Sequence, residues 1–115
     1  AKKILIIDDD PIIVKYLERL FQNSGYDTVS ASSSMEGFDL LHEQKPDLIT
    51  LDLQMEEEWG TRFYRRLQKE PTLKEIPIIV ISGLAGRHAV RGAAAFFSKP
   101  FDPEKLLGTV KKTIG

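Results

Sequence analysis

Apolar positions along the chain follow two rhythms. Three short, unbroken aliphatic runs, "KILII" at residues 3–7, "LITL" at residues 48–51 and "IIVI" at residues 78–81, read as strands buried on both faces. Between them the apolar residues fall at helical spacing. Asp10 is placed to cap a helix with Pro11 at its first position, and Ile13, Val14, Leu17, Leu20 and Phe21 then line one face. The run "NSG" from Asn23 to Gly25 ends that helix. Residues 27–31 read as a weaker strand, and Ser33 with Glu36 as a capping box opening a helix to about Gln44. The pattern predicts another helix over residues 61–69, with Pro71 and Pro77 bracketing the connection that follows. A short helix over residues 87–91, a fifth strand over residues 96–98 and a last helix starting at Asp102-Pro103 and running to about Thr113 complete the reading.

Strand followed by helix, five times over, implies an α/β fold: a doubly wound parallel sheet covered on both faces. Right-handed crossovers put all the strand C-termini at one edge, where ligands of such sheets bind. The residues falling there are Asp8, Asp9 and Asp10 after the first strand, Asp52 after the third, Ser82 after the fourth and Lys99 after the fifth. They are distant in sequence, and this topology makes them neighbours.

Composition narrows the chemistry. The 115 residues suit one domain with a single well-buried core, and a 42% hydrophobic, 29% charged make-up is ordinary for a globular protein. A formal net charge of -1 gives no global field to hold nucleic acid or an anionic membrane. With no cysteine, disulfides and thiolate chemistry are excluded, and His42 and His88 do not make a zinc site by themselves. No apolar run approaches membrane-spanning length, and the start "AKKILIIDDD" lacks a cleavage pattern, so a cytoplasmic protein is expected.

Carboxylates about 4–5 Å apart repel by roughly 3–4 kcal/mol per pair at an effective dielectric of ~20, so positive charge belongs among them. Lys99 supplies one unit, and a hard divalent cation such as Mg²⁺ would supply two through oxygen ligands. A carboxylate beside Mg²⁺, an ammonium and a hydroxyl is suited to accept a phosphoryl group and become an aspartyl phosphate. Taken singly, Asp10 is a helix cap, Ser82 a strand-end hydroxyl and Lys99 a solvated lysine. Their joint placement at the ends of strands one, three, four and five raises the functional reading above these. His42 and His88 read as surface residues, and Glu56 to Glu58 as a solvated loop. Trp59 reads as a partner anchor or as cover for the rim of the site.

The motifs "ILIIDDDP", "PDLITLD", "IPIIVISG" and "SKPF", in this order and at strand ends, resemble those of the receiver domains of two-component response regulators, and the resemblance covers residues 1–115. It implies a (βα)5 flavodoxin-like or CheY-like fold with sheet order 2-1-3-4-5. It implies Asp52 as phosphoacceptor, Asp8 and Asp9 as the acidic pair, and Mg²⁺ held by Asp9 directly, Asp8 through water, Asp52 and the backbone carbonyl of Gln54. Ser82 matches the family's hydroxyl position, Lys99 its lysine and Phe96 its aromatic switch position. The Lys99-Pro100 bond matches one that is cis in most members.

The chain departs from the family in the loop after Asp52, with Glu56 and Trp59 in place of the usual Pro and Asp, and Gly60 retained. Gln54 and Leu84 occupy the two positions that tune phosphoryl lifetime, and Leu84 offers no polar group to position water. The span from Ser82 to Lys99 is about five residues shorter than usual in the family, so the fourth helix is expected to be short or displaced. The implied partners are a sensor histidine kinase or phosphotransfer protein, and an output domain, partner protein or second copy on the face of the fourth helix, fifth strand and fifth helix. Arg87, Arg91 and Lys105 are candidates for that face's charged rim, with a solvated basic face as the alternative. Neither nucleic acid nor membrane is expected to bind. The implied module turns over no external substrate. Two alternatives stand beside it: a haloacid-dehalogenase-like phosphatase using Asp8 as nucleophile, and a degenerate receiver that works without phosphate.

Overall fold

The computed structural model describes residues 1–53, 65–71, 73, 75–83 and 92–115. Five strands, β1 (Lys3–Ile7), β2 (Asp27–Ala31), β3 (Leu48–Leu51), β4 (Ile78–Ser82) and β5 (Ala95–Ser98), form one parallel sheet in the order β2-β1-β3-β4-β5. Helices α1 (Pro11–Gln22) and α2 (Ser34–Gln44) and a C-terminal helix (Pro103–Ile114) pack around it. Residues 65–68 are helical, the described part of the helix expected over 61–69. The short helix expected over 87–91 lies outside the described residues.

Alternation along the strands explains the two-sided core. Leu5, Ile7, Ile49, Leu51 and Val80 join Leu41, Leu67 and Leu73 on one face of the sheet. Ile4, Ile6, Leu48, Ile79 and Ile81 join Leu17 and Phe21 of α1 and Leu106 and Val110 of the C-terminal helix on the other. Each fully buried aliphatic side chain contributes about 1.5–3 kcal/mol, and the one charge in these runs, Lys3, stands at the partly buried start of β1. β2 sits at the sheet edge and is only partly buried, so its apolar signal is weaker.

Caps fix where the helices begin. Asp10 accepts a hydrogen bond from the Ile12 amide at 3.0 Å, with Pro11 opening α1. Asp102 does the same for the C-terminal helix through the Glu104 amide at 2.9 Å. Ser33 Oγ accepts from the Glu36 amide, but the Glu36 carboxylate reaches one residue further back than a capping box requires, to the Ser32 amide at 2.8 Å. At the other end of α2, Lys45 takes a left-handed conformation (φ 47°) and returns its amide to the Leu41 carbonyl.

The sheet order sets the site. From β1 the chain moves outward to β2 and then returns to the other side of β1 as β3, so the connections part above the C-terminal ends of β1 and β3. Ladder hydrogen bonds continue past the strand ends. The Asp8 amide donates to the Ala31 carbonyl (3.1 Å), the Asp52 amide to Ile7 (3.0 Å) and the Lys99 amide to Ser82 (3.0 Å). The backbones of three polar residues are thus pinned by the sheet itself.

Candidate phosphoacceptor site

Three carboxylates converge at this edge: oxygens of Asp8, Asp9 and Asp52 lie within 4.8 Å of one another. Asp8 and Asp52 are 3% and 5% exposed, and Asp9 is half-buried. Lys99 reaches in from the end of β5. Its Nζ donates to Asp8 Oδ2 at 2.8 Å and stands 3.5 Å from Asp52 Oδ2. Ser82, the last residue of β4, is fully buried, and the Lys99–Pro100 peptide is cis.

The three consecutive aspartates divide their work. Asp8 is anchored through both oxygens, Oδ2 to Lys99 and Oδ1 to the Asp10 amide at 2.9 Å. Asp9 borders a cleft of about 350 Å³ between β2 and the start of α1, shared with Lys15, Glu18 and Ser30. Asp10 caps α1. Sequence reasoning separated the cap from the acidic pair. It did not find that Lys15 and Glu18 line this cleft with Glu36, which it read only as a capping residue; their signal is the helical phase set by the two caps.

Charge balance follows from burial. Burial pushes the Asp8 carboxyl above its usual value, outweighing the hydrogen bonds from Lys99 and the Asp10 amide, and the neighbouring Asp52 charge adds to the rise. Burial also works to lower the Lys99 value, but its hydrogen bond to Asp8 and the charges of Asp8 and Asp52 outweigh it and hold the ammonium form. Among the described residues, Lys99 is the cation at these carboxylates, and it offsets one of three negative charges. The remaining negative charge, presented by hard oxygen donors, fits a divalent cation of the Mg²⁺ type.

Phe96 lies on β5 opposite Val80, partly buried against the cluster on the α2 face of the sheet. Gln54, Glu56 to Glu58, Trp59, Gly60, Leu84, Arg87, His88 and Arg91 lie outside the described residues. His42 is an exposed residue of α2, as its position in the pattern suggests, and its ring is engaged by Glu70.

Residues 4–111 match the response regulator receiver domain, and the chain belongs to that family. It is 32% identical over 113 residues to protein Rrf1 of Nitratidesulfovibrio vulgaris, covering 97% of this chain and 82% of that protein. It is 31% identical to the polar-differentiation response regulator DivK of Brucella ovis, covering all of this chain and 98% of that one. Among solved structures, the response regulator protein TrrA of Thermotoga maritima, in complex with Mg²⁺–BeF, superposes with a TM-score of 0.89 at 26% identity over 98% of this chain and 99% of that one. The chain is a receiver domain, a signalling module of two-component systems. Among the described residues, no helix is long and apolar enough to cross a membrane.

Proposed function

We propose that Asp52 accepts a phosphoryl group from a histidine kinase or a phosphotransfer protein, and that the phosphorylated domain presents an altered protein-binding surface. The convergence of Asp8, Asp9 and Asp52, with Lys99 against Asp8 and Asp52, carries this reading. An Asp52 carboxylate oxygen attacks the phosphorus of a phosphohistidine. The P–N bond breaks, the imidazole leaves with its electron pair and takes up a proton, and an aspartyl phosphate forms. Hydrolysis later returns inorganic phosphate and the free carboxylate, so the domain resets itself without turning over another substrate.

Lys99 lies close enough to Asp52 to neutralise a phosphoryl oxygen, and Ser82, at the end of the adjacent strand, supplies a hydroxyl to another. Asp8, Asp9, Asp52 and the Gln54 carbonyl would hold Mg²⁺, which when bound supplies two positive charges to the phosphoryl oxygens. Asp8 is poorly suited to the phosphatase alternative, because both its oxygens are already committed to Lys99 and the Asp10 amide. The same reading places the domain in the cytoplasm. Its output runs through β5 and the C-terminal helix, to an output domain, a partner protein or a second copy. Phe96 turns as Ser82 moves toward the phosphoryl group.

Acetyl phosphate with Mg²⁺ tests this. Intact mass should rise by one phosphoryl group in the wild type and in Asp8→Asn, more slowly in the latter, and not at all in Asp52→Asn. Labelling of Asp52→Asn with loss in Asp8→Asn would transfer the assignment to the phosphatase reading. With beryllofluoride, the Phe96 ring resonances should shift and sedimentation should report any dimer.

A further inference from the structure

In the last turn of α2, His42 stands between two oxygen acceptors. Its Nδ1 is 2.9 Å from the Phe38 carbonyl one turn back on α2, and its Nε2 is 3.0 Å from Glu70 Oε2. A carbonyl oxygen and an ionised carboxylate only accept. A neutral imidazole carries one N–H and satisfies one of them, leaving its other nitrogen's lone pair aimed at an oxygen lone pair. Both contacts are made only by the doubly protonated ring.

The surroundings favour that cation. The ring packs against Phe38 at 4.8 Å between centroids, while the Arg66 guanidinium on the same phenyl ring at 4.6 Å is a like charge that opposes it. Asp39 on α2 adds negative charge, while Lys45, beyond the helix end, borders the same 450 Å³ hollow as His42 and opposes it. Glu70 belongs to the connection into β4. There the amides of Lys69, Glu70, Leu73 and Ile76 donate to Arg66, Leu67, Glu70 and Leu73, and Leu73 is buried in the core.

We propose that His42 and Glu70 form a protonation-dependent latch that ties α2 to the segment leading into β4 and releases it as pH rises. The hydrogen bond to Phe38, then that to Glu70, raises the His42 pKa above the usual imidazole value, against a small opposing effect of burial. The folded value therefore exceeds the unfolded one. The latch is at full strength below the unfolded value near 6.5 and is lost as pH rises through the folded value.

Glu70→Gln tests it without disturbing the core, since Glu70 is 37% exposed. Histidine ring ¹H–¹⁵N correlation spectra from pH 5 to 9 should show protons on both His42 nitrogens below a midpoint that falls in Glu70→Gln. Amide exchange at Lys69, Glu70, Leu73 and Ile76, compared between the two proteins at each pH, should be slower in the wild type by roughly two- to five-fold at pH 5.5, as befits an exposed charge pair. That ratio should approach one at pH 8.5. Equal midpoints, or an exchange ratio independent of pH, would overturn the latch.

Discussion

Asp8 and Lys99, 91 positions apart in the chain, meet at 2.8 Å at the sheet edge, one at the end of β1 and the other just past β5. They are not adjacent strands: β3 and β4 lie between them. Lys99 crosses above both, and in doing so comes within 3.5 Å of Asp52 at the end of β3. Lys99→Met removes the positive charge of this pair and leaves Asp8 buried. Breaking a wholly dry ion pair costs ~3–5 kcal/mol; with Lys99 23% exposed, a loss of roughly 2 kcal/mol is expected in Mg²⁺-free buffer. Urea unfolding measures it. Millimolar Mg²⁺ should restore part of the loss by binding the folded state. An unchanged midpoint without Mg²⁺ would show that the pair carries no stability.

Asp52→Asn is expected to act in the opposite direction. The substitution removes repulsion from Asp8 and Asp9, whose oxygens lie within 4.8 Å, and loses one attraction to Lys99 at 3.5 Å. Among the described residues two repulsions stand against one attraction, and a net gain of about 1 kcal/mol is expected after solvent screening. The variant should unfold at higher urea without Mg²⁺, and the increment added by Mg²⁺ should shrink. A less stable Asp52→Asn protein would mean that the lysine attraction outweighs the crowding. The acidic edge would then be a case of function held at the expense of stability only through Asp9.

The parallel sheet and the polar residues at its edge were legible because buried parallel strands demand largely aliphatic runs and right-handed crossovers gather the strand ends; the strand order was implied by the resemblance to receiver domains alone. The edge strand β2 and the start of β5 were read less sharply: residues facing partly outward need no apolar pattern, and Ala95 extends β5 one residue beyond the expected 96–98. Pairing was not legible. Nothing in the spacing of Asp8 and Lys99 tells which carboxylate the ammonium chooses, because that depends on how far the chain reaches after β5. The same holds for His42 and Glu70, which look like ordinary surface charges until α2 and the later connection are placed side by side.

Thr50 shows a further limit of pattern. It sits inside "LITL", 1% exposed, and among the described residues its Oγ1 has no hydrogen-bond partner. β-Branching suits it to the strand, but the hydroxyl has lost its water without compensation. Thr50→Val keeps the shape and replaces that hydroxyl by a methyl group. A stabilisation of about 1 kcal/mol is expected by thermal or urea unfolding, with phosphorylation at Asp52 retained. Destabilisation would show that the hydroxyl is satisfied in solution.

Two helical glycines separate close packing from backbone entropy. Replacing glycine by alanine within a helix ordinarily gains about 0.5–1 kcal/mol. At Gly108, exposed on the C-terminal helix, an added Cβ meets nothing within 4 Å, and Gly108→Ala should show that gain in full. Gly37 is buried on α2 where the helix lies against β1, and a Cβ there would stand 2.7 Å from Ile7 Cδ1 and 3.1 Å from Cγ1. Ile7 is 1% exposed and packed in the same cluster as Leu5, Ala31, Leu41 and Leu51, so its end has nowhere to swing. Overpacking of this kind costs roughly 1–3 kcal/mol, which exceeds the entropic gain and makes Gly37→Ala a net loss. Ile7 directly precedes Asp8, and its carbonyl receives the Asp52 amide, so displacing it also moves two of the three carboxylates. Gly37→Ala should therefore weaken Mg²⁺ binding, followed by calorimetry, while Gly108→Ala leaves it unchanged. Gains of equal size in both variants would show that α2 yields, and that its close approach does not set the geometry of the acidic edge.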